Sequence, residues 1–317
     1  MDFEAMKKRA RDLREIAQWP QALEMIDRPV HRESGSVWEY PGAACQAVGG
    51  LESDALPAAA AVFLSVVSIH LVDDMLDDDP RGDYRRIGAG TVANLALAFQ
   101  AAGHLLLEQA EVKAEVRAAL QASFAAMSLA TCYGQGLDAK ELTSEEEYWR
   151  VVENKTPPLF GEALRMGALL GGATSETAEL LARVGRALGL FVQVNDDMTD
   201  AMAVPARADW QRRHNNLLIL YGLTAGHAER DEFAALSART EDPEALDAAQ
   251  KILLRSGALS FSTLKLIEIS RQIQKLLGSV TLKNPAPLDR IVEFHLKPLH
   301  LLLERAGVEE PALLAGG

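Results

Sequence analysis

Residues 70–80 read HLVDDMLDDDP, and they close a stretch from Leu56 that is otherwise almost wholly apolar. On a helix, Asp73 and Asp77 stand four residues apart on one face, and Asp74 and Asp78 form the adjacent stripe. Like charges at that spacing repel, and carboxylates fit poorly at a helix C-terminus, where the macrodipole is negative. Helix stability alone therefore does not place five aspartates between positions 73 and 79. A hard divalent cation offsets both penalties: Mg²⁺ is usually held by a few carboxylates, with substrate phosphate and water completing its shell. A solvated acidic helix end, or a capping cluster for the next helix, is the competing reading.

Residues 189–200, GLFVQVNDDMTD, repeat the arrangement. Asp196, Asp197 and Asp200 follow an apolar helical run at the same i, i+1, i+4 spacing, and chance explains such a pair less well than a single cluster. Two such sites on facing helices can clamp one diphosphate through several metal ions and neutralise it as its bond to carbon breaks. Neither segment has the alternating oxygen ligands and central glycine of an EF-hand loop. Between the two lies YWRVVENKTPPLFGEALRMGALLGG at 148–172. Lys155 alone reads as an ordinary solvated lysine. Beside a diphosphate pocket it supplies a point charge in addition to the metals.

Apolar residues recur at three- and four-residue spacing through most of the 317-residue chain, and alternating β-branched runs are nearly absent. The fold class is all-α, read as one domain over 1–317. Helices are predicted over about 3–18, 41–50, 55–77, 87–111, 113–135, 144–171, 175–200, 208–224, 228–238, 243–256, 258–278 and 287–306. Rods of roughly 30 to 38 Å suit a helical bundle around a deep central cavity able to hold a long apolar chain. The balance of 45 acidic against 32 basic residues gives a net charge of −13, which repels nucleic acid and anionic membrane surfaces. Cys45 and Cys132 are too few for a disulfide framework, so a reducing cytoplasm fits best. The N-terminus reads as an amphipathic helix and not a signal peptide. The apolar run Ala55–Ile69, broken by Pro57 and soon meeting Asp73, is expected to be too short and too acidic to span a bilayer.

Taken together, DDMLD at 73–77, Lys155-Thr156 with Leu159-Phe160 after it, and Gln193 followed by DDMTD at 196–200 resemble the trans-isoprenyl diphosphate synthase (polyprenyl synthetase) family of the isoprenoid synthase fold. The order, spacing and helical context match over about residues 40–225. The resemblance implies an α-helical bundle, usually a homodimer, in which both aspartate motifs bind three Mg²⁺ and an allylic prenyl diphosphate. It further implies that Asp73 and Asp77 bridge two metals, that Asp196 holds the third, and that Asp74, Asp197 and Asp200 are secondary ligands or support the ligands. Lys155, with Thr156 beside it, would contact the diphosphate, and Gln193 the developing cation.

The sequence also departs from that pattern. Chain-elongating members hold isopentenyl diphosphate through a GGKRxRP-like segment, a His before the first motif and an Arg pair after it. Counted back from Gly49-Gly50, the Lys-Arg falls on Ser34 and Gly35, the later Arg on Val37, and the His on Val66. Arg85 and Arg86, or Arg81, can supply the Arg pair, and Arg28, His31 and Arg32 lie near the lost patch. At 209–223, DWQRRHNNLLILYGL carries Arg213-His214 where the family has Gly-Lys. Ser68, five residues before Asp73 on the same helix, is expected to line the path of the substrate tail. Two outcomes follow ionisation: prenyl transfer to an isopentenyl unit, or, with that site degraded, cyclisation or water capture as in a class I terpene synthase. A non-catalytic subunit that binds prenyl chains or supports a partner is the third reading.

Overall fold

The computed structural model describes residues 2–28, 35–211 and 215–307. Among these, sixteen α-helices and no strand are found: α1 Phe3–Arg11, α2 Pro20–Asp27, α3 Tyr40–Ala47, α4 Leu56–Leu76, α5 Asp83–Ile87, α6 Ala89–Glu108, α7 Ala114–Asp138, α8 Glu145–Lys155, α9 Pro157–Leu170, α10 Ser175–Ala201, α11 Ala208–Gln211, α12 Leu217–Thr224, α13 Arg230–Ser237, α14 Pro243–Arg255, α15 Ala258–Gly278 and α16 Ala286–Arg305. The all-α expectation is met.

Several boundaries differ from those read in the sequence, each for a local reason. The first helix stops at Arg11, and α2 restarts on Pro20, a residue suited to a first turn because it needs no N–H partner there. The expected helix 144–171 divides into α8 and α9, since Pro157 and Pro158 have no N–H to carry the ladder across. Gly88, at φ +88°, separates α5 from α6, a left-handed conformation that glycine adopts without strain. Side chains fix other starts: Ser144 accepts from the Glu147 N–H before α8, and Asn216 from the Leu218 and Ile219 N–H groups before α12.

The chain resolves into two compact units. The first comprises Met1–Cys132, Pro158–Arg186 and Leu276–Phe294; the second Tyr133–Pro157, Ala187–Lys275 and His295–Gly317. In the first, α4 is the central rod, and Ala58 through Leu64 are all essentially inaccessible to solvent. It packs on α6 through small residues and through Ser68, whose hydroxyl donates to the Ala96 carbonyl at 3.0 Å. In the second, Trp210 and Phe233 centre a cluster with Leu218, Ile219, Leu246 and Leu253. Glu52–Leu76 and Ala89–Glu108 are long and apolar enough, by length and composition alone, to cross a membrane, a test that a buried core helix also passes. The former is a core element, with 72% of its most apolar window buried against 44% for the latter.

Candidate active site

The first aspartate motif lies in the first unit, where α4 ends. Asp77 is the C-cap, Asp78 takes a left-handed φ of +51°, and two backbone bonds close the end: Asp79 N–H to the Asp74 carbonyl at 2.9 Å and Asp78 N–H to the Met75 carbonyl at 3.4 Å. This is a Schellman closure with aspartate in place of glycine. Asp78 therefore lies beyond the helix and does not continue a stripe with Asp74, contrary to the sequence reading. Its carboxylate accepts from the Tyr84 hydroxyl at 2.8 Å and from Arg85. Asp79 accepts from the Arg81 N–H at 2.7 Å and from its guanidinium at 2.8 Å. Two of the five acids thus build the turn, and Asp73, Asp74 and Asp77 remain on the rod, each half-buried. Burial, and then the charge of Asp79, push the Asp74 carboxyl above the usual carboxylate range.

The arginines after the motif are engaged by acids. Arg85 pairs with Asp78 and lies 4.9 Å over the Tyr84 ring, while Arg86 bonds Glu24 at 2.6 Å and Asp83 at 2.9 Å. Asp83 also receives both arms of Arg28, and this bond, opposed by burial and aided by Arg86, holds its carboxyl below the usual range. The residues standing where the family pattern has cations are part of the core: Val37 and Val66 are each 8% exposed. Ser34, His31, Arg32 and Arg213 lie outside the described residues. Ser68, expected to line the path of the substrate tail, is buried against α6, where its hydroxyl donates to the Ala96 carbonyl.

The second motif and the Lys155-Thr156 segment share the second unit. Two glycines press that segment between helices. A Cβ at Gly134 of α7 would lie 2.5 Å from the Lys155 backbone nitrogen, and one at Gly189 of α10 would lie 2.6 Å from the Pro157 Cα. The resulting contact is a hydrogen-bonded row. The Thr156 hydroxyl donates to Gln193 Oε1 at 3.0 Å, and Gln193 Nε2 donates to Asp197 Oδ1 at 3.1 Å. Asp197 Oδ2 accepts from the Tyr148 hydroxyl at 2.7 Å and from the Leu217 N–H at 2.8 Å. Lys155 Nζ bonds Asp138 Oδ2 at 2.7 Å.

The three acids of this motif differ in setting. Asp197 is enclosed, with both oxygens taken by donors from α8, α10 and the start of α12, an arrangement that suits the supporting role, one of the two the resemblance implied, more than that of a ligand. Burial raises its carboxyl to about 7. Asp196 is solvent-accessible, yet deep enough, and close enough to Asp200, to be pushed up to about 6. Asp200 is half-exposed, 3.9 Å from Arg207. Tyr148, Asp138 and Asn215, which sequence reasoning passed over, hydrogen-bond to these residues or to one another. One signal pointed to Asp138: it is the first charged residue after Arg117.

Among the described residues, no three His, Cys, Asp or Glu side chains converge on one point. Each motif instead offers an i, i+4 pair of hard oxygen donors, Asp73 with Asp77 and Asp196 with Asp200. That donor set fits Mg²⁺, which takes one or two carboxylates and leaves the rest of its octahedron to substrate phosphate and water.

The polyprenyl synthetase family model matches residues 43–253, and the chain belongs to that family. It is an enzyme of the prenyltransferase class. A geranylgeranyl diphosphate synthase of Methanosarcina mazei is 30% identical over 236 residues, covering 69% of this chain and 71% of that protein. A geranylfarnesyl diphosphate synthase of Natronomonas pharaonis is 30% identical over 230 residues, covering 67% of this chain and 66% of that one. The crystal structure of a geranylgeranyl pyrophosphate synthetase from Pyrococcus horikoshii Ot3 shares the fold at a TM-score of 0.82 and 18% identity, over 92% of this chain and 94% of its own. A polyprenyl synthase from Caulobacter crescentus, solved with calcium and isoprenyl diphosphate, does so at a TM-score of 0.75 and 18% identity, over 92% of each chain.

Proposed function

We propose that this protein ionises an allylic prenyl diphosphate, releasing diphosphate and passing the prenyl cation to an acceptor. The observation that carries the reading is the presence of two intact aspartate pairs, Asp73/Asp77 and Asp196/Asp200, in a chain of the polyprenyl synthetase family. By family resemblance these pairs, supported by Asp74, would hold Mg²⁺ ions, three in number. Bound Mg²⁺ supplies charge neutralisation for the leaving diphosphate. The complex of the Caulobacter crescentus relative with calcium and isoprenyl diphosphate supports a divalent ion beside such a substrate. Lys155, with Thr156 beside it, faces the diphosphate as a fixed point charge, and Gln193 presents its dipole to the developing cation. Asp197 holds Gln193 in that orientation.

Prenyl transfer is the first reading of the second step, supported by the synthases that are this chain's relatives. Cyclisation or water capture is the second, and a specific observation favours it: Arg28 and Arg86 are held by Asp83, and Val37 and Val66 are buried where cations are expected. A homodimer fits the exposed face of α6 and α7, on which Leu97, Leu105 and Leu129 stand open and residues 87–107 and 118–137 carry no charge. Unpaired thiols at Cys45 and Cys132 accord with a cytoplasmic location. The test is incubation of the protein with Mg²⁺ and each of the ten-, fifteen- and twenty-carbon allylic diphosphates, with and without isopentenyl diphosphate, and identification of products. Longer prenyl diphosphates formed only with isopentenyl diphosphate establish transfer; hydrocarbon or alcohol formed without it establishes the second reading; no diphosphate release from any substrate removes the proposal.

A further inference from the structure

The Asn215 amide is surrounded by four partners. The two hydrogens of its Nδ2 are shared among the Asp138 carbonyl at 2.8 Å, Asp138 Oδ1 at 3.0 Å and the Lys140 carbonyl at 2.7 Å, and its Oδ1 accepts from the Leu142 N–H at 3.0 Å. The other oxygen of Asp138, Oδ2, accepts from Lys155 Nζ at 2.7 Å, with 17% of the Asp138 side chain and 26% of the Lys155 side chain exposed. One turn before Asp138, Gly134 lets the backbone of α7 close on Asn154 and Lys155. Packing thus sets the roots of the acid and the lysine, and Asn215 sets the rotation of the carboxylate between them.

This arrangement is wrong for affinity. A site built only to attract a diphosphate gains nothing from a carboxylate 2.7 Å from its lysine, because that charge opposes the incoming anion. It is right for placement: a long, flexible lysine held at one point meets the phosphate oxygen where negative charge grows as the carbon–oxygen bond breaks. A fixed charge there favours the transition state over the bound substrate. We infer that Asp138 and Asn215 are positioning residues for Lys155, trading ground-state attraction for a fixed ammonium. The inference rests on the proposed role of Lys155 at the diphosphate.

The test is steady-state diphosphate release with Mg²⁺ and whichever of the ten-, fifteen- and twenty-carbon allylic diphosphates the wild type turns over fastest. Asp138→Asn is expected to lower kcat about 10- to 100-fold with KM unchanged or lower, since orientation is lost while attraction is not. Asn215→Ala, which leaves both charges in place, is expected to shift kcat in the same direction by less, and it carries the test if Asp138→Asn does not fold. In a Lys155→Ala background, Asp138→Asn should change kcat by less than about twofold, because the two act through one group. An ion pair that serves only the fold would move the melting temperature and leave kcat and KM alone. Wild-type kcat in Asp138→Asn, or an equal loss with and without Lys155, overturns the inference while leaving the proposed function standing. Wild-type turnover in Lys155→Ala removes the lysine from the diphosphate site and takes this inference with it.

Discussion

The Tyr148 hydroxyl donates to Oδ2 of Asp197 at 2.7 Å, and both side chains are closed off from solvent. The bond ties the middle of the second aspartate motif to the helix that ends in Lys155, so the fold of this unit and the orientation of Gln193 depend on one carboxylate. Tyr148→Phe should destabilise the protein by about 1 to 3 kcal/mol, the cost of leaving a buried acceptor short of a donor, measured by urea unfolding. It should also lower turnover through Gln193.

The same carboxylate gives stability a pH dependence of definite sign. Its folded value of about 7 lies above its ordinary 3.8, so between those values the native state keeps a proton that the unfolded chain has lost. This contribution is present at low pH and is lost as pH rises through the folded value. Asp196, raised to about 6, and Asp74 and Asp209, raised by burial, act in the same direction. Unfolding midpoints of the metal-free protein should fall between pH 5 and pH 8, and Asp197→Asn should flatten the slope. Midpoints that climb across this window, with a slope indifferent to Asp197→Asn, would contradict the assignment.

Asp73→Ala, Asp77→Ala and Asp196→Ala should each reduce turnover about a thousandfold or more, equivalent to about 4 kcal/mol of lost charge stabilisation, while far-ultraviolet circular dichroism stays unchanged. A variant lacking both Asp73 and Asp196 should be little worse than the poorer single one, because the ligands act as a unit. Since the Asp196 carboxyl titrates near 6 and a protonated acid is a poor ligand, the Mg²⁺ concentration for half-maximal rate should rise as pH drops from 7.5 to 5.5. A pH-independent Mg²⁺ requirement would remove Asp196 from the metal.

Asp83 neutralises Arg28 and Arg86, so the wild type should bind isopentenyl diphosphate weakly. Asp83→Asn should remove the negative charge that Arg28 and Arg86 share, leaving Glu24 as the acid beside both, and raise the affinity at least about tenfold in calorimetry, the worth of roughly one charged hydrogen bond. Micromolar binding by the wild type would show instead that the second substrate finds its cations elsewhere.

Leu97→Glu and Leu129→Glu place charges on the uncharged α6–α7 face, at sites 72% and 75% exposed, where neither should disturb the core. Sedimentation velocity should show a dimer for the wild type and a monomer for the pair of substitutions. A monomeric wild type would end the homodimer proposal.

Much of this fold was legible in the sequence because one signal, the three- and four-residue recurrence of apolar side chains, dominates an all-helical chain. The breaks were harder. Pro157-Pro158 divides α8 from α9, and Gly88 divides α5 from α6; both are local backbone facts that an apolar pattern continuing on either side conceals. At the site, the aspartates announced themselves through spacing that helix electrostatics disfavours, but which of them stand on the rod was not legible. Asp78 and Asp79 fell into the turn through local bonds to Arg81, Tyr84 and Arg85, and Asp197 into the interior by hydrogen bonds to residues distant in sequence, Tyr148 and Leu217. Asn215 had no sequence signal at all, since an asparagine beside a helix start reads as a cap, and here it is the adjacent Asn216 that caps.

The left-handed turn at Asp78 gives the first aspartate motif an origin independent of its cargo. Because the backbone closes α4 by itself and Tyr84 and Arg85 hold the closing residue, Asp73 and Asp77 reach their separation before any cation arrives. Loading the protein with magnesium should then cost little ordering entropy over residues 70–79. Amide hydrogen exchange across that segment should be as slow in chelator as in the presence of the ion.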